Sequence, residues 1–420
     1  MFNQIRKFSG QSLLLAAAIP MLFFSPTSMA QEIGASQSVK ARPRPNYDPG
    51  GMQFGNLKID AGADVGIARS DNILATSRDG EDDFLAVLEP SIRISNDWGR
   101  SALAVSAATS IGRYTDNSSE DFDDYSARLD WSRDWARAGS LRLYAGRIHD
   151  HESRRDPTDE DGFEPNTYDV DIFGMRYSRR VGALTYNASF ESRAIEYQDA
   201  TGPGGIINND DRNRRENLLS LRVGSNSQRV ISPFLEIGLD ERDYSLAVDD
   251  FGVGRTSDGT AFGVGLQLQQ FGTLSGEILL GRIERSYDDS QLSDSSRFWT
   301  RSLVEWNPTG LTTISLDIET RIDETNYADA AGVEVDRLGL TVDHELLRNV
   351  ILSLGFRTED ENYISSSRDD EIFTWFAEGT VYFNRHVRIS LELESIDRDS
   401  SIASRGFSES VVRIVLRSFL

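Results

Sequence analysis

The chain has 420 residues, 39% of them hydrophobic, 26% charged and 10% aromatic, with 67 acidic against 44 basic side chains and a net charge of −23. A soluble globule of this length would be short of apolar core, the aromatic content argues against disorder, and the acidic balance excludes nonspecific nucleic-acid binding through a basic face. With no cysteine there are no disulfides, zinc–thiolate sites or thiol nucleophile.

Residues 1–30 read as a signal peptide. Arg6 and Lys7 precede an apolar run from Ser12 to Phe24, and Ser28-Met29-Ala30 forms a small-x-small cleavage site. The run is shorter than the roughly 20 residues of a membrane-spanning helix, so cleavage after Ala30 is expected rather than anchoring. No later window is long and apolar enough for such a helix. The exported chain is therefore either soluble or a membrane barrel. Residues 31–54 hold Pro43, Pro45, Pro49, Gly50 and Gly51 with little periodicity and are expected to be an extended periplasmic tail. Its basic patch, Lys40, Arg42 and Arg44, is read as solvated, with holding a partner or entering a lumen as the alternatives.

From Leu57 to the end, apolar and polar residues alternate with period two. Leu57, Ile59, Ala61, Ala63, Val65 and Ile67 set the pattern. It returns at Phe84/Ala86/Leu88, Leu184/Tyr186/Ala188/Phe190, Phe262/Val264/Leu266, Ile314/Leu316/Ile318, Leu352/Leu354/Phe356, Phe373/Trp375 and Val412/Ile414/Leu416. Short connections at 96–99, 137–139, 179–182, 225–227, 270–272, 307–310, 347–349 and 384–385 alternate with long ones near 70–83, 115–124, 150–166, 198–214, 244–259, 287–296, 325–332, 358–371 and 397–407. Nine long loops, each joining two strands, predict 18 strands. An even count with short turns at one end and long loops at the other is the pattern of a single all-β, antiparallel transmembrane β-barrel of the Gram-negative outer-membrane type, over residues 55–420. Trp98, Trp131, Trp135 and Trp306 near short turns, and Tyr114, Tyr125, Tyr168, Tyr197, Tyr287 and Tyr363 near long loops, are expected to form two interfacial girdles. The chain ends as a strand with Phe419 next to last, close to the terminal aromatic that the barrel-assembly machinery reads, although Leu420 departs from it. The surroundings expected are outer-membrane lipid and lipopolysaccharide.

The Ser70-Asp71-Asn72-Ile73 step that ends the first strand, the FLAVLEPSIRIS strand after it, and the acidic-loop layout together resemble the putative β-barrel porin 2 family. The resemblance implies an outer-membrane conduit taking part in exopolysaccharide export with a periplasmic partner, and it supplies no catalytic residue. The alternatives are a general diffusion porin for small solutes, and a closed barrel whose acidic loops bind a partner.

If apolar residues face lipid, the residues between them face the lumen. Those candidates are Arg93, Arg128, Arg142, Arg193, Arg222, Arg242, Arg337, Arg357, Arg388 and Arg413 with Glu89, Glu191, Glu236 and Glu392. Lys7, Lys40 and Lys58 are the only lysines, so 41 of the 44 bases are arginine. Two readings stand: cross-strand ion-pair ladders that stiffen the wall, or unpaired guanidinium forks that hold carboxylates in transit. No catalytic constellation, metal site or cofactor motif is identified. His149-Asp150-His151 puts two histidines on one face of a strand end but lacks a further ligand at fixed spacing, and is read as a hydrated loop base. His344 and His386 fall near short turns.

Overall fold

The computed structural model describes residues 38–135, 139–158, 162–225, 230–271 and 273–420. The signal-peptide segment 1–30 and the turn centres near 137, 226 and 272 lie outside the described residues. Eighteen strands build the wall: β1 Leu57–Ser70, β2 Asp83–Asp97, β3 Ser101–Tyr114, β4 Phe122–Trp135, β5 Gly139–His151, β6 Thr167–Val181, β7 Leu184–Tyr197, β8 Arg214–Ser225, β9 Ile231–Tyr244, β10 Ser257–Phe271, β11 Leu274–Tyr287, β12 Ser295–Thr309, β13 Thr312–Asp323, β14 Val333–Leu347, β15 Val350–Tyr363, β16 Asp369–Tyr382, β17 Val387–Ser400 and β18 Phe407–Phe419. Each pairs antiparallel with its neighbours in sequence, and β1 pairs with β18 from Gly62 opposite Phe419 to Ser70 opposite Val411. The sheet therefore closes on itself and leaves no open edge. A three-residue strand, Met52–Phe54, adds to β1 at the short-turn end, and a small hairpin, Ala200–Gly202 with Gly205–Ile207, decorates the β7–β8 loop. Among the described residues no helix is long and apolar enough to cross a membrane.

The period-two pattern sorts the two faces as alternation requires. Ile67, Leu354 and Ile414 are 60%, 59% and 57% exposed, while the polar Thr313 and Ser390 are fully enclosed. A belt of outward Leu, Ile, Val and Phe on this scale suits lipid rather than water. Trp98, Trp135 and Trp306 lie exposed at the short-turn end, as a girdle requires. The tyrosines behave differently. Of the six expected in the opposite girdle only Tyr125 is exposed, and Tyr287 and Tyr363 are buried on the lumen parity. The correction has a chemical cause for two of the six, since inside the barrel their rings meet guanidinium groups: Arg212 lies 3.9 Å over Tyr197 and Arg368 lies 4.2 Å over Tyr363.

Two connections are shorter than the sequence suggests. The polar stretches expected as loops over 358–371 and 397–407 continue the ladder, with Thr358 opposite Phe373 and Asp397 opposite Ser408. Backbone hydrogen bonding does not require apolar side chains once a strand has left the bilayer, so the ladder outlasts the hydrophobic pattern. The 179–182 turn moves two residues on. Val181 pairs with Leu184, and Gly182 takes φ +59° at the first position of a two-residue turn.

Candidate functional site

The lumen wall carries most of the predicted charges, and they are largely matched. On β8 to β12, Arg222 donates to Glu236 at 2.7 Å and to Glu277 at 2.7 Å. Arg301 donates to the same pair at 3.0 and 3.3 Å. Two forks thus clamp two carboxylates across five strands. Beneath them Phe234, Leu279 and Trp299 pack as a buried cluster, with the Arg222 guanidinium 4.1 Å from the Phe234 ring centre. Gly265 makes that possible, because a Cβ there would stand 2.1 Å from the Phe234 ring. Further round, Arg337 meets Glu319 at 3.1 Å and Glu359 at 3.3 Å, Arg321 shares both acids, and Arg357 approaches Glu359 at 4.0 Å. Arg417 binds Glu392 at 2.9 Å and Asp64 at 3.1 Å, with Arg413 at 3.7 Å from Glu392. Tyr144 and Arg193 both bond to Glu191, and Ser110 donates to Glu89 at 3.3 Å. Arg128 pairs with Asp130 on its own strand at 3.0 Å. Arg242 lies 3.3 Å from Asp240. Arg388 donates to the Tyr47 carbonyl at 3.2 Å.

The side chains of Arg93 and Arg142 have no hydrogen bond or ion pair among the described residues, and Arg142 stands directly across the ladder from Arg176. The ion-pair reading therefore describes most of the wall, and the unpaired-fork reading is left to Arg93 on β2 and Arg142 on β5.

The long-loop end is spanned by a loop that sequence gave little reason to single out. The β5–β6 segment turns inward: Arg155 donates to Glu394 on β17 at 3.0 Å and to Glu409 on β18 at 2.5 Å. Arg212 of the β7–β8 loop bonds to Glu152, and Asn326 of the β13–β14 loop donates to the Thr158 carbonyl at 2.8 Å. One segment is thereby tied to three separated parts of the rim. Burial raises the Asp156 carboxyl to about 6, with the neighbouring Glu152 charge adding to it. On the β13–β14 loop, burial pushes Glu324 upward, but Arg242, Arg285 and Arg214 outweigh it and hold the carboxyl down at about 2. Arg255 caps the same loop through the carbonyls of Thr325 and Ala330 at 3.1 and 2.7 Å. Arg155, Arg212, Arg255 and Arg301 were not among the sequence candidates. The first three sit in long polar loops, and their only signal was arginine within an otherwise acidic segment.

The short-turn end is occupied too. The segment expected as a solvated, extended tail instead turns back onto the inner wall from Ser38 to Asp48. Val39, fully buried, donates its N–H to Thr313 Oγ1 at 2.8 Å. Lys40 reaches Glu378 at 3.1 Å and Asp343 at 3.3 Å, and Arg44 reaches Glu345 at 3.3 Å. Its basic patch finds acids that face the lumen of β14 and β16, so opposite charge gives the reason for docking.

The family model described as putative beta-barrel porin 2 matches residues 44–418. Among curated proteins none matches. Among solved structures, OccK1 (OpdK) of Pseudomonas aeruginosa is 13% identical with a TM-score of 0.50, covering 87% of this chain and 99% of that one. OccK2 (OpdF) of the same organism, solved with glucuronate, is 12% identical with a TM-score of 0.50 over 87% and 99%. At such identity the likeness speaks for the barrel fold alone. With the closed wall of eighteen strands, the lipid-facing belt and a family match over nearly the whole described chain, the protein belongs to the putative beta-barrel porin 2 family of outer-membrane porin-like β-barrels.

Proposed function

We propose that the barrel is a passive outer-membrane channel for small solutes, reached after export and cleavage at Ala30, with the short turns and the N-terminal segment on the periplasmic side. The observation that carries this reading is the β5–β6 loop held across the lumen by Arg155 on Glu394 and Glu409. A loop tied to several parts of the rim narrows the path, which suits molecules of one or two sugar rings and opposes a chain polymer. Polysaccharide export, which the family resemblance first implied, would require both this loop and the 38–48 segment to leave the lumen.

Liposome swelling with neutral sugars of increasing size tests the reading. Mono- and disaccharides are expected to enter and longer oligosaccharides to be excluded. Long oligosaccharides entering as fast as glucose would overturn it in favour of a polymer conduit, and no entry of any sugar would favour a closed barrel.

A further inference from the structure

The His149-Asp150-His151 stretch stands where β5 leaves the wall for the loop that crosses the lumen. Its two histidines do not act as one face. His149 Nδ1 lies 3.0 Å from Asp169 and its ring stacks on the exposed Tyr125. His151 Nδ1 lies 2.9 Å from Asp124 on β4, and its ring stacks at 4.2 Å on the buried Phe122. Alternation thus fails at the last residue of the strand, and the failure brings His151 to a carboxylate 27 positions away that no local spacing would reveal.

Asp150 completes the group. One of its oxygens accepts the His151 N–H at 3.0 Å and lies 3.8 Å from Nδ1. Ligand atoms of Asp124, Asp150 and His151 all fall within 4.8 Å of one another. Donors around a tetrahedral ion are about 3.4 Å apart, a spacing reached here by small side-chain rotations. The charge balance points the same way. Neighbouring Asp121 and Asp123 are met by Arg113, and Asp169 and Asp171 by Arg147. Asp124 and Asp150 meet no arginine or lysine among the described residues and share one imidazole between them. A cavity of about 150 Å³ opens onto Asp124 and His151, lined also by His149 and Glu164.

We propose that Asp124, Asp150 and His151 bind one divalent d-block cation of the zinc class at the base of the β5–β6 loop. One imidazole nitrogen with two carboxylates suits Zn²⁺, Ni²⁺ or Cu²⁺, whereas Ca²⁺ and Mg²⁺ call for all-oxygen sets. The stacked Phe122 ring orients the imidazole, and the ion replaces the proton that His151 shares with Asp124. Glu152 follows His151 directly and is held by Arg212, so the bound ion fixes the point from which the lumen-crossing loop departs.

The test uses the full chain, folded in detergent, produced without a histidine tag and stripped with chelator. Cobalt(II) titration should give visible d–d absorption saturating at one ion per chain, displaced by Zn²⁺ and not by millimolar Ca²⁺. His151→Gln and Asp124→Asn should each weaken uptake at least tenfold, with His344→Gln unchanged. Absence of stoichiometric uptake by the wild-type chain overturns the proposal without reference to any variant. Displacement by Ca²⁺ as easily as by Zn²⁺, or unchanged uptake by folded His151→Gln, overturns it as well.

Discussion

Arg155 and Glu409 lie 254 positions apart in sequence and 2.5 Å apart in the structure, joining the β5–β6 loop to β18 inside the barrel. The arginine is held by Glu394 as well, so one side chain docks the loop on two strands. Removing it should leave two lumen carboxylates near each other without a cation, Glu409 keeping only the Ser70 hydroxyl, at a cost of roughly 3–5 kcal/mol for breaking a buried pair. Arg155→Gln is therefore expected to release the loop and raise single-channel conductance in planar bilayers, with Arg155→Lys in between because it keeps charge and loses the fork. Equal conductance in all three proteins would separate the loop from the constriction.

The same loop should respond to pH through Asp156. Its carboxyl is raised from the usual 3.8 to about 6 by burial and by Glu152. A group raised on docking favours the docked state fully below its ordinary value and loses that contribution as pH rises through the raised one. The loop should thus be quietest near pH 4 and loosen as pH passes 6. Current noise recorded between pH 4.5 and 7.5 should rise, and Asp156→Asn should flatten the profile.

At the opposite mouth, replacing Lys40, Arg42 and Arg44 together with glutamine removes the contacts to Glu378, Asp343 and Glu345. The Lys40 and Arg42 pairs are partly solvated and worth roughly 0.2–1 kcal/mol each, whereas Arg44 is buried against Glu345 and its loss costs more; none of these contacts belongs to the strand ladder, so the segment should loosen without unfolding the wall. Protease should then cut near residue 45 faster than in the wild-type chain, while heat-modifiable migration on gels stays unchanged.

In the β8–β12 quartet, Glu236→Gln leaves Arg222 and Arg301 to share Glu277. A destabilisation of roughly 2–4 kcal/mol is expected in urea unfolding, within the range for removing one partner of a buried charge pair. Arg301→Gln in the same background should cost less than it does alone. Additive penalties would show that the four groups act independently.

The lipid face supplies a sharper contrast. Leu354→Arg puts a charge on an outward position and should cost up to roughly 2–4 kcal/mol, depending on depth. Thr341→Arg, on the lumen face near Asp343 and Asp317, should cost much less. Similar penalties at both positions would contradict the assignment of faces.

What the sequence determined by itself is the wall. Period-two alternation, repeated from Leu57 to Phe419 with short and long connections in turn, specifies eighteen strands and the face taken by the residues within the bilayer span, because one face must satisfy lipid. The parity of Arg222, Glu236, Arg388 and Arg413 follows from that local rule. Which charges meet was decided only by closure of the barrel. Arg222 finds Glu277 three strands away, and Arg155 finds Glu409, because curvature brings inward side chains together whatever their separation in the chain. Lys40 and Arg44 read as solvated until the inner acids of β14 and β16 were in place, and Tyr197 and Tyr363 read as interfacial until the guanidinium groups over their rings were in place. His151 belongs with these, since only the pairing of β4 with β5 sets Asp124 beside it. Alternation carries the sign of a residue's face but not its partner, and partners are what a lumen is made of.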